Sequence, residues 1–267
     1  MSKKIVHEKN YEQWSAISED YHDSRPVPPD IIVKTVLAWL GKENPDIIVD
    51  VGCGTGLSAI IWKDIAARTI GIEPNADMRV IAEKHVGCDN ITFADGVSND
   101  TGLADGSVDV ITVSQAFHWM DIDSSLAEFY RILKPGGVLA IYDFALPPVM
   151  DWQVERAYLA LADRCSDIYY AQQNPPMHND KSSYSERIKS FGKFRYSREI
   201  ACHGTKKWDA TQLMKFVLST TNAMHITEID ATIKKDLDEL FELIKARCYK
   251  DGTFNIIFPY AMMIAIK

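Results

Sequence analysis

The chain has 267 residues, is 46% hydrophobic and carries a net charge of −8. That is enough apolar material for one sizeable core with elaborations. An acidic balance with no basic run excludes the clustered lysines and arginines that nucleic acid or an anionic membrane requires. No apolar run is long enough to span a bilayer. The first residues, Met1-Ser2-Lys3-Lys4-Ile5, lack the apolar core of a signal peptide. The five cysteines (Cys53, Cys88, Cys165, Cys202 and Cys248) are odd in number and far apart, with no Cys-x-x-Cys pair. Neither a zinc site nor a disulfide framework follows from that spacing, and a reducing cytoplasm is the expected setting.

In chain order, residues 1–28 read as an N-terminal cap, with Tyr11, Trp14, Ile17 and Tyr21 at helical spacing. Arg25-Pro26-Val27-Pro28-Pro29-Asp30 breaks that helix, and 31–40 forms the next, ending at Gly41. Strand–helix units follow: 46–51 with 57–67, 69–72 with 76–86, 91–94 with a short polar link, and 108–113 with 122–133. Lys134-Pro135-Gly136-Gly137 is a turn into a fifth strand, 138–143. Alternating strands and helices predict a parallel sheet with right-handed crossovers. Beyond 145 the spacing predicts a helix over 152–170, a proline-containing loop over 171–183 and a strand over 195–203. Helices over 208–220 and 229–249 follow, then a turn at Asp251-Gly252 and a β-prone run over 254–266.

The chemistry concentrates at Val49-Asp50-Val51-Gly52-Cys53-Gly54-Thr55-Gly56. A buried strand running through a glycine turn into a helix is where α/β sheets take nucleotide-like cofactors. A dinucleotide site wants Gly-x-Gly-x-x-Gly. Here the third glycine comes one residue early, at Gly56, and Leu57 occupies the dinucleotide position. Asp50, two residues before Gly52, would repel a pyrophosphate but suits a ligand carrying an ammonium and a sulfonium. Cys53 reads as a small filler rather than a reactive thiol. Glu73 lies 21 residues after Gly52, where an acid at the end of the second strand accepts both ribose hydroxyls. That second feature alone fits NAD equally well.

At these residues the chain resembles the class I S-adenosylmethionine (SAM)-dependent methyltransferases over roughly residues 45–145. The resemblance continues through Gly96 to Asp109, through Ser114-Gln115-Ala116-Phe117-His118-Trp119, and through Arg131-Ile132-Leu133-Lys134-Pro135-Gly136-Gly137. These segments are similar to the methyltransferase type 11 branch, in particular to small-molecule enzymes like trans-aconitate methyltransferase. The resemblance implies a doubly wound α/β fold: a seven-stranded, mostly parallel, Rossmann-like sheet closed by an antiparallel pair, with helical cap and lid insertions. It implies one domain: cap 1–28, cofactor-binding core 29–145, helical lid and sixth strand 146–253, last strand 254–267. It implies SAM as cofactor, with Asp50 and the loop Gly52, Cys53, Gly54, Thr55 and Gly56 at the methionine end and Glu73 on the ribose.

Asn75 and Met78 could contact the adenine face; for Met78 a core position is the competing reading. Many relatives carry Asp where Val97 stands, so adenine recognition falls to backbone groups near Val97 and Ser98 or to the Asn99 amide. Asp95 reads as a cap. Ser114 and Gln115 mark the edge where the transferred methyl should lie. Ser-Gln-Ala-Phe in place of an Asn/Asp-Pro-Pro-aromatic pattern argues against base or amide N-methylation, and Asn174-Pro175-Pro176-Met177 reads as a turn. His118 is either a general base or a histidine packed on Trp119 that orders the loop. Tyr21 and Arg25 match a Tyr-x-x-x-Arg-Pro pattern of the branch; Arg25 is either a carboxylate partner, for cofactor or substrate, or a surface arginine. Arg164, Arg187, Arg195 and Arg198 are further candidates for binding an acid. No metal-ligand spacing appears.

The expected partner is a small-molecule methyl acceptor, first a carboxylate or hydroxyl oxygen, with amine and carbon open and the oligomeric state undetermined. Nucleic-acid and membrane partners are not expected. The alternatives are a non-catalytic SAM-binding protein and an NAD-dependent oxidoreductase.

Overall fold

The structure is a computed structural model, and it describes residues 18–171, 179–221 and 223–267. Tyr11, Trp14 and Ile17, and the Asn174–Met177 turn, lie outside the described residues. In chain order come α1 (Ser18–Ser24), α2 (Asp30–Leu40), β1 (Ile47–Val51), β2 (Arg68–Ile72), α3 (Ala76–Val86), β3 (Ile91–Ala94), β4 (Val108–Ser114), α4 (Ile122–Ile132) and β5 (Leu133–Phe144). The second half adds α5 (Trp152–Ala171), α6 (Tyr184–Phe191), β6 (Tyr196–Asp209), α7 (Ala210–Thr221), α8 (Ala223–Ile229), α9 (Ile233–Arg247) and β7 (Thr253–Ile266).

The seven strands form one sheet in the order β3-β2-β1-β4-β5-β7-β6. β1 to β5 pair in parallel, whereas β7 runs antiparallel to both β5 and β6. The central strands are mostly apolar because both faces are covered. On one face α2, α5, α7 and α9 pack over Ile48, Val110, Ala140 and Tyr142; on the other α4 and α6 cover Val49, Ile111, Leu139 and Ile141. β7 shows the same logic within one strand. Its first half alternates, with Phe254, Ile256 and Phe258 buried, and its last residues, Met262 to Ala265, are buried consecutively where helices cover both sides. The result is a doubly wound α/β sheet closed by an antiparallel pair at one edge.

Several elements differ from the sequence reading. The segment 57–67 is not an α-helix. Its hydrogen bonds mostly close back three residues (Ala59 to Gly56, Trp62 to Ala59, Lys63 to Ile60, Ile65 to Trp62), giving tight 3₁₀ windings. Ala59, Trp62 and Ala66 are still buried, so the apolar spacing serves packing either way. The predicted turn at 134–137 is absorbed into β5, whose pairing with β4 shifts register between Val108 and Val110. β6 runs on to Asp209, so Trp208 is a strand residue opposite Phe254. The predicted helix 229–249 starts later, at Ile233, after Asp230 accepts from the Thr232 N–H at 2.9 Å, and a further short helix, α8, precedes it unpredicted. α6 was not anticipated, although Tyr184 and Ile188 bury at helical spacing.

Candidate cofactor and acceptor site

A cavity of about 910 Å³ opens at the carboxyl edge of the sheet, where β1, β2, β4 and β5 end. Its floor is the loop after β1. Gly52, at φ 69°, donates its N–H to the Ile72 carbonyl at 2.8 Å. A Cβ on Gly52 would come within 2.6 Å of the Ala116 Cβ, so only glycine lets the two loops meet. Gly56 serves a different purpose. A Cβ there would lie 2.7 Å from Val86 and 3.1 Å from Phe93, so Gly56 seats the loop on α3 and does not line the cavity. Cys53, Gly54 and Thr55 do line it. Burial pushes the Cys53 thiol up, with the neighbouring Asp50 and Glu73 charges adding to the effect, which fits a filler and not a nucleophile. Thr55 is 1% exposed, and its hydroxyl has no hydrogen-bond partner among the described residues.

The two acids of the site are placed differently. Asp50 is fully buried behind the loop and does not line the cavity, which corrects its expected direct contact with a cofactor. One of its oxygens accepts from Ser58 Oγ at 2.5 Å and the other from Thr112 Oγ1 at 2.7 Å. Burial nevertheless raises its pKa to about 6. Glu73 faces the cavity at 7% exposure. Its oxygens accept from the Gly54 N–H and the Asn75 N–H, both at 2.9 Å. Burial raises its pKa against those bonds. The carboxylate is thus fixed by the backbone, with lone pairs left over for a ligand.

Asn75 caps α3, accepting from the Met78 N–H at 3.0 Å, and is not in the cavity wall. Met78 is 3% exposed and does reach that wall, so it is both a core and a cavity residue. Val97 and Ser98 line the cavity, and Ser98 Oγ lies 2.7 Å from Ser125 Oγ. Asn99 is outside it, exposed and bonded to Ser124, which corrects its expected role. Asp95 is an exposed partner of Arg79.

The loop after β4 brings Ser114, Gln115 and His118 to the opposite side. Gln115 is the one non-glycine residue with positive φ, 52°, among the described residues. Four bonds hold it there. Its N–H meets Asp143 Oδ1 at 2.7 Å and the Tyr142 carbonyl at 3.3 Å. Its amide donates to the Phe144 carbonyl at 3.1 Å and accepts from Lys181 Nζ at 2.9 Å. Strain held in place by its surroundings is characteristic of functional loops. Phe117, buried edge-on against Tyr184, anchors the same loop. The His118 ring packs on Trp119 with centroids 4.8 Å apart. Its carbonyl accepts from the Asn179 N–H at 2.7 Å.

α1 brings Tyr21 and Arg25 to the cavity. The Arg25 guanidinium lies 4.7 Å over the Tyr21 ring, and its Nη2 donates to the Ser219 carbonyl at 2.8 Å. The four other arginines proposed from sequence are elsewhere. Arg164 ties α5 to Asp230 and Asp236, Arg187 pairs with Asp123, and neither these nor Arg195 and Arg198 line the cavity. Sequence reasoning missed Lys181, Tyr260 and the inner face of α5. Ala162, Cys165, Ser166 and Tyr169 all line the cavity at i, i+3, i+4 and i+7. That periodicity was readable, but not what it faces.

The residues present fit an adenosyl cofactor. A backbone cradle that a Cβ would close, a fixed carboxylate with spare lone pairs and a buried unpartnered hydroxyl line the same wall. The cavity lies at the carboxyl edge of a doubly wound sheet, the place where such sheets take nucleotide-like cofactors. A methyltransferase-domain family matches residues 49–141. The chain is 30% identical over 135 residues to a candidate methyltransferase of Dictyostelium discoideum, covering 51% of this chain but 50% of that protein. It is 24% identical over 246 residues to an uncharacterised methyltransferase of Schizosaccharomyces pombe, covering 89% and 91%. Among solved structures, a candidate type II methyltransferase from Anaeromyxobacter dehalogenans superposes with a TM-score of 0.68 at 21% identity, covering 91% of this chain and 97% of that one. Over the matched segment the chain is similar to methyltransferase domains, and its fold is that of the class I SAM-dependent methyltransferases.

Proposed function

We propose that this protein transfers a methyl group from SAM to a small-molecule acceptor. The observation that carries the reading is Glu73, set in the cavity wall by two backbone N–H bonds and therefore oriented to accept from a vicinal diol. In this reading Glu73 takes the ribose hydroxyls. The Gly52–Thr55 loop and Arg25 hold the methionine end, and Met78, Val97 and Ser98 border the base. Asp50 acts at one remove, fixing Ser58 beneath the loop.

SAM, held by Glu73, the Gly52–Thr55 loop and Arg25, would supply an electrophilic methyl with a neutral thioether as leaving group. What the chain must add is alignment and exclusion of water. Gln115, tied at four points, and the Trp119–His118 pair form the rigid edge against which an acceptor would be held. A carboxylate or hydroxyl oxygen is the acceptor atom this edge suits. His118 would take the proton from a hydroxyl, whereas a carboxylate needs no base.

Calorimetric titration with SAM, S-adenosylhomocysteine and NAD tests the reading. Binding of both adenosyl ligands without NAD is expected, followed by turnover in an acceptor screen. Binding of NAD alone would point to an oxidoreductase. Adenosyl binding with no acceptor site would point to a non-catalytic binding protein.

A further inference from the structure

The wall opposite the glycine loop differs from a site for a polyacid. Four side chains with formal charge line the cavity among the described residues: Arg25, Glu73, Asp180 and Lys181. Glu73 belongs to the cofactor side. Arg25 donates one N–H to Ser219 and lies over Tyr21, and in the function proposed above its remaining donors are used at the methionine end. Asp180 turns its carboxylate back on Ser182. Lys181 is already neutralised by Asp143, at 3.1 Å. Two of its three N–H groups are taken, by Asp143 and by Gln115 Oε1, which leaves one donor for a single oxygen. A second or third carboxylate would therefore be desolvated with no further cation among the described lining residues to meet it, which is strongly unfavourable.

The remaining surface is mainly apolar and aromatic, broken by Ser166, Asn179, Thr220 and Thr221. Ala162, Cys165 and Tyr169 of α5 face the cavity together with Phe144 and Tyr260 from the sheet. At its mouth Leu146 and Tyr170 are 48% and 53% exposed, so the apolar lining continues out to solvent. Aromatic rings offer large flat contact area at low entropic cost. Pockets of this size and lining select an apolar body fixed by very few polar groups.

We infer that the acceptor is an apolar, ring- or chain-bearing molecule with one acidic oxygen, its body against α5 and its oxygen at Lys181 and Gln115. The inference rests on the methyltransferase reading, and the test separates the two. The full chain is first saturated with S-adenosylhomocysteine by calorimetry; failure at this step sinks the cofactor reading itself. The saturated protein is then titrated with three monoacids (2-naphthoic, trans-cinnamic and decanoic acid) and with two polyacids (citrate and trans-aconitate). At least one monoacid should bind at a concentration tenfold or more below either polyacid. Tighter binding of a polyacid, or no binding of any monoacid up to its solubility, overturns the inference.

Two variants locate the site. Ala162→Phe fills the α5 wall and should weaken the monoacid at least tenfold while leaving S-adenosylhomocysteine affinity within twofold. Tyr170→Ser, on the exposed rim where folding is not at stake, should weaken it severalfold with the same cofactor affinity. Unchanged monoacid affinity in Tyr170→Ser and in a folded Ala162→Phe contradicts the placement.

Discussion

On the strand side of the cavity, backbone groups and buried carboxylates do the holding; on the α5 side, aromatic rings and hydroxyls do. The strand side is closed on itself before any ligand arrives. Asp50 is satisfied by Ser58 and Thr112, and Glu73 by Gly54 and Asn75. The α5 side is assembled from distant segments by single contacts, such as Tyr158 to Thr220 at 3.0 Å and Arg25 to Ser219 at 2.8 Å. A ligand common to a whole family can be met by fixed backbone geometry. A ligand particular to one member needs a wall whose side chains are free to differ.

The strongest way to break the strand side is at Gly52, which packs against Ala116 and Met120 of the loop after β4. Gly52→Ala combines a left-handed backbone with a Cβ 2.6 Å from Ala116. Backbone strain and overpacking together should cost about 3 kcal/mol of stability and abolish cofactor binding. Urea denaturation with a cofactor titration reads both, and a variant with the wild-type midpoint and affinity would mean the loops are not locked together.

A smaller effect sharpens the contrast at Asp50. Its native pKa of about 6 lies above the unfolded value of 3.8, so the folded state holds the proton more tightly. The stability this contributes is fully present below pH 3.8 and lost as pH rises through 6. Asp50→Asn should flatten the change in unfolding free energy between pH 4 and 6.5 by about 2 kcal/mol. It should leave stability at pH 8 no lower than in the wild type. An unchanged pH profile would show that the burial of Asp50 has no energetic consequence.

The strand side was also the side legible in sequence. Residues 76–86 and 91–94 form the helix and strand their periodicity predicts, and the glycines and Glu73 stand just past the ends of β1 and β2. What sequence could not resolve is which way a side chain points. Asp50 and Asn75 sit within the motif yet turn into the protein, and Asn99 turns to solvent. Nor could it say what α5 faces, because a helical stripe reveals that a surface is covered without revealing that a cavity covers it. Lys181 was illegible for a further reason: its partners Gln115 and Asp143 lie 66 and 38 residues away, and no local pattern links them.

The most direct test of the account is a paired titration of wild type and Glu73→Gln with S-adenosylhomocysteine and with its 2′,3′-dideoxy analogue. If Glu73 holds the ribose diol, the wild type should prefer the parent ligand by about 1.5–3 kcal/mol, the range for hydrogen bonds to a charged group, and that preference should vanish in the variant. Equal loss of both ligands, or no loss of either, would contradict the placement of the cofactor on which the rest depends.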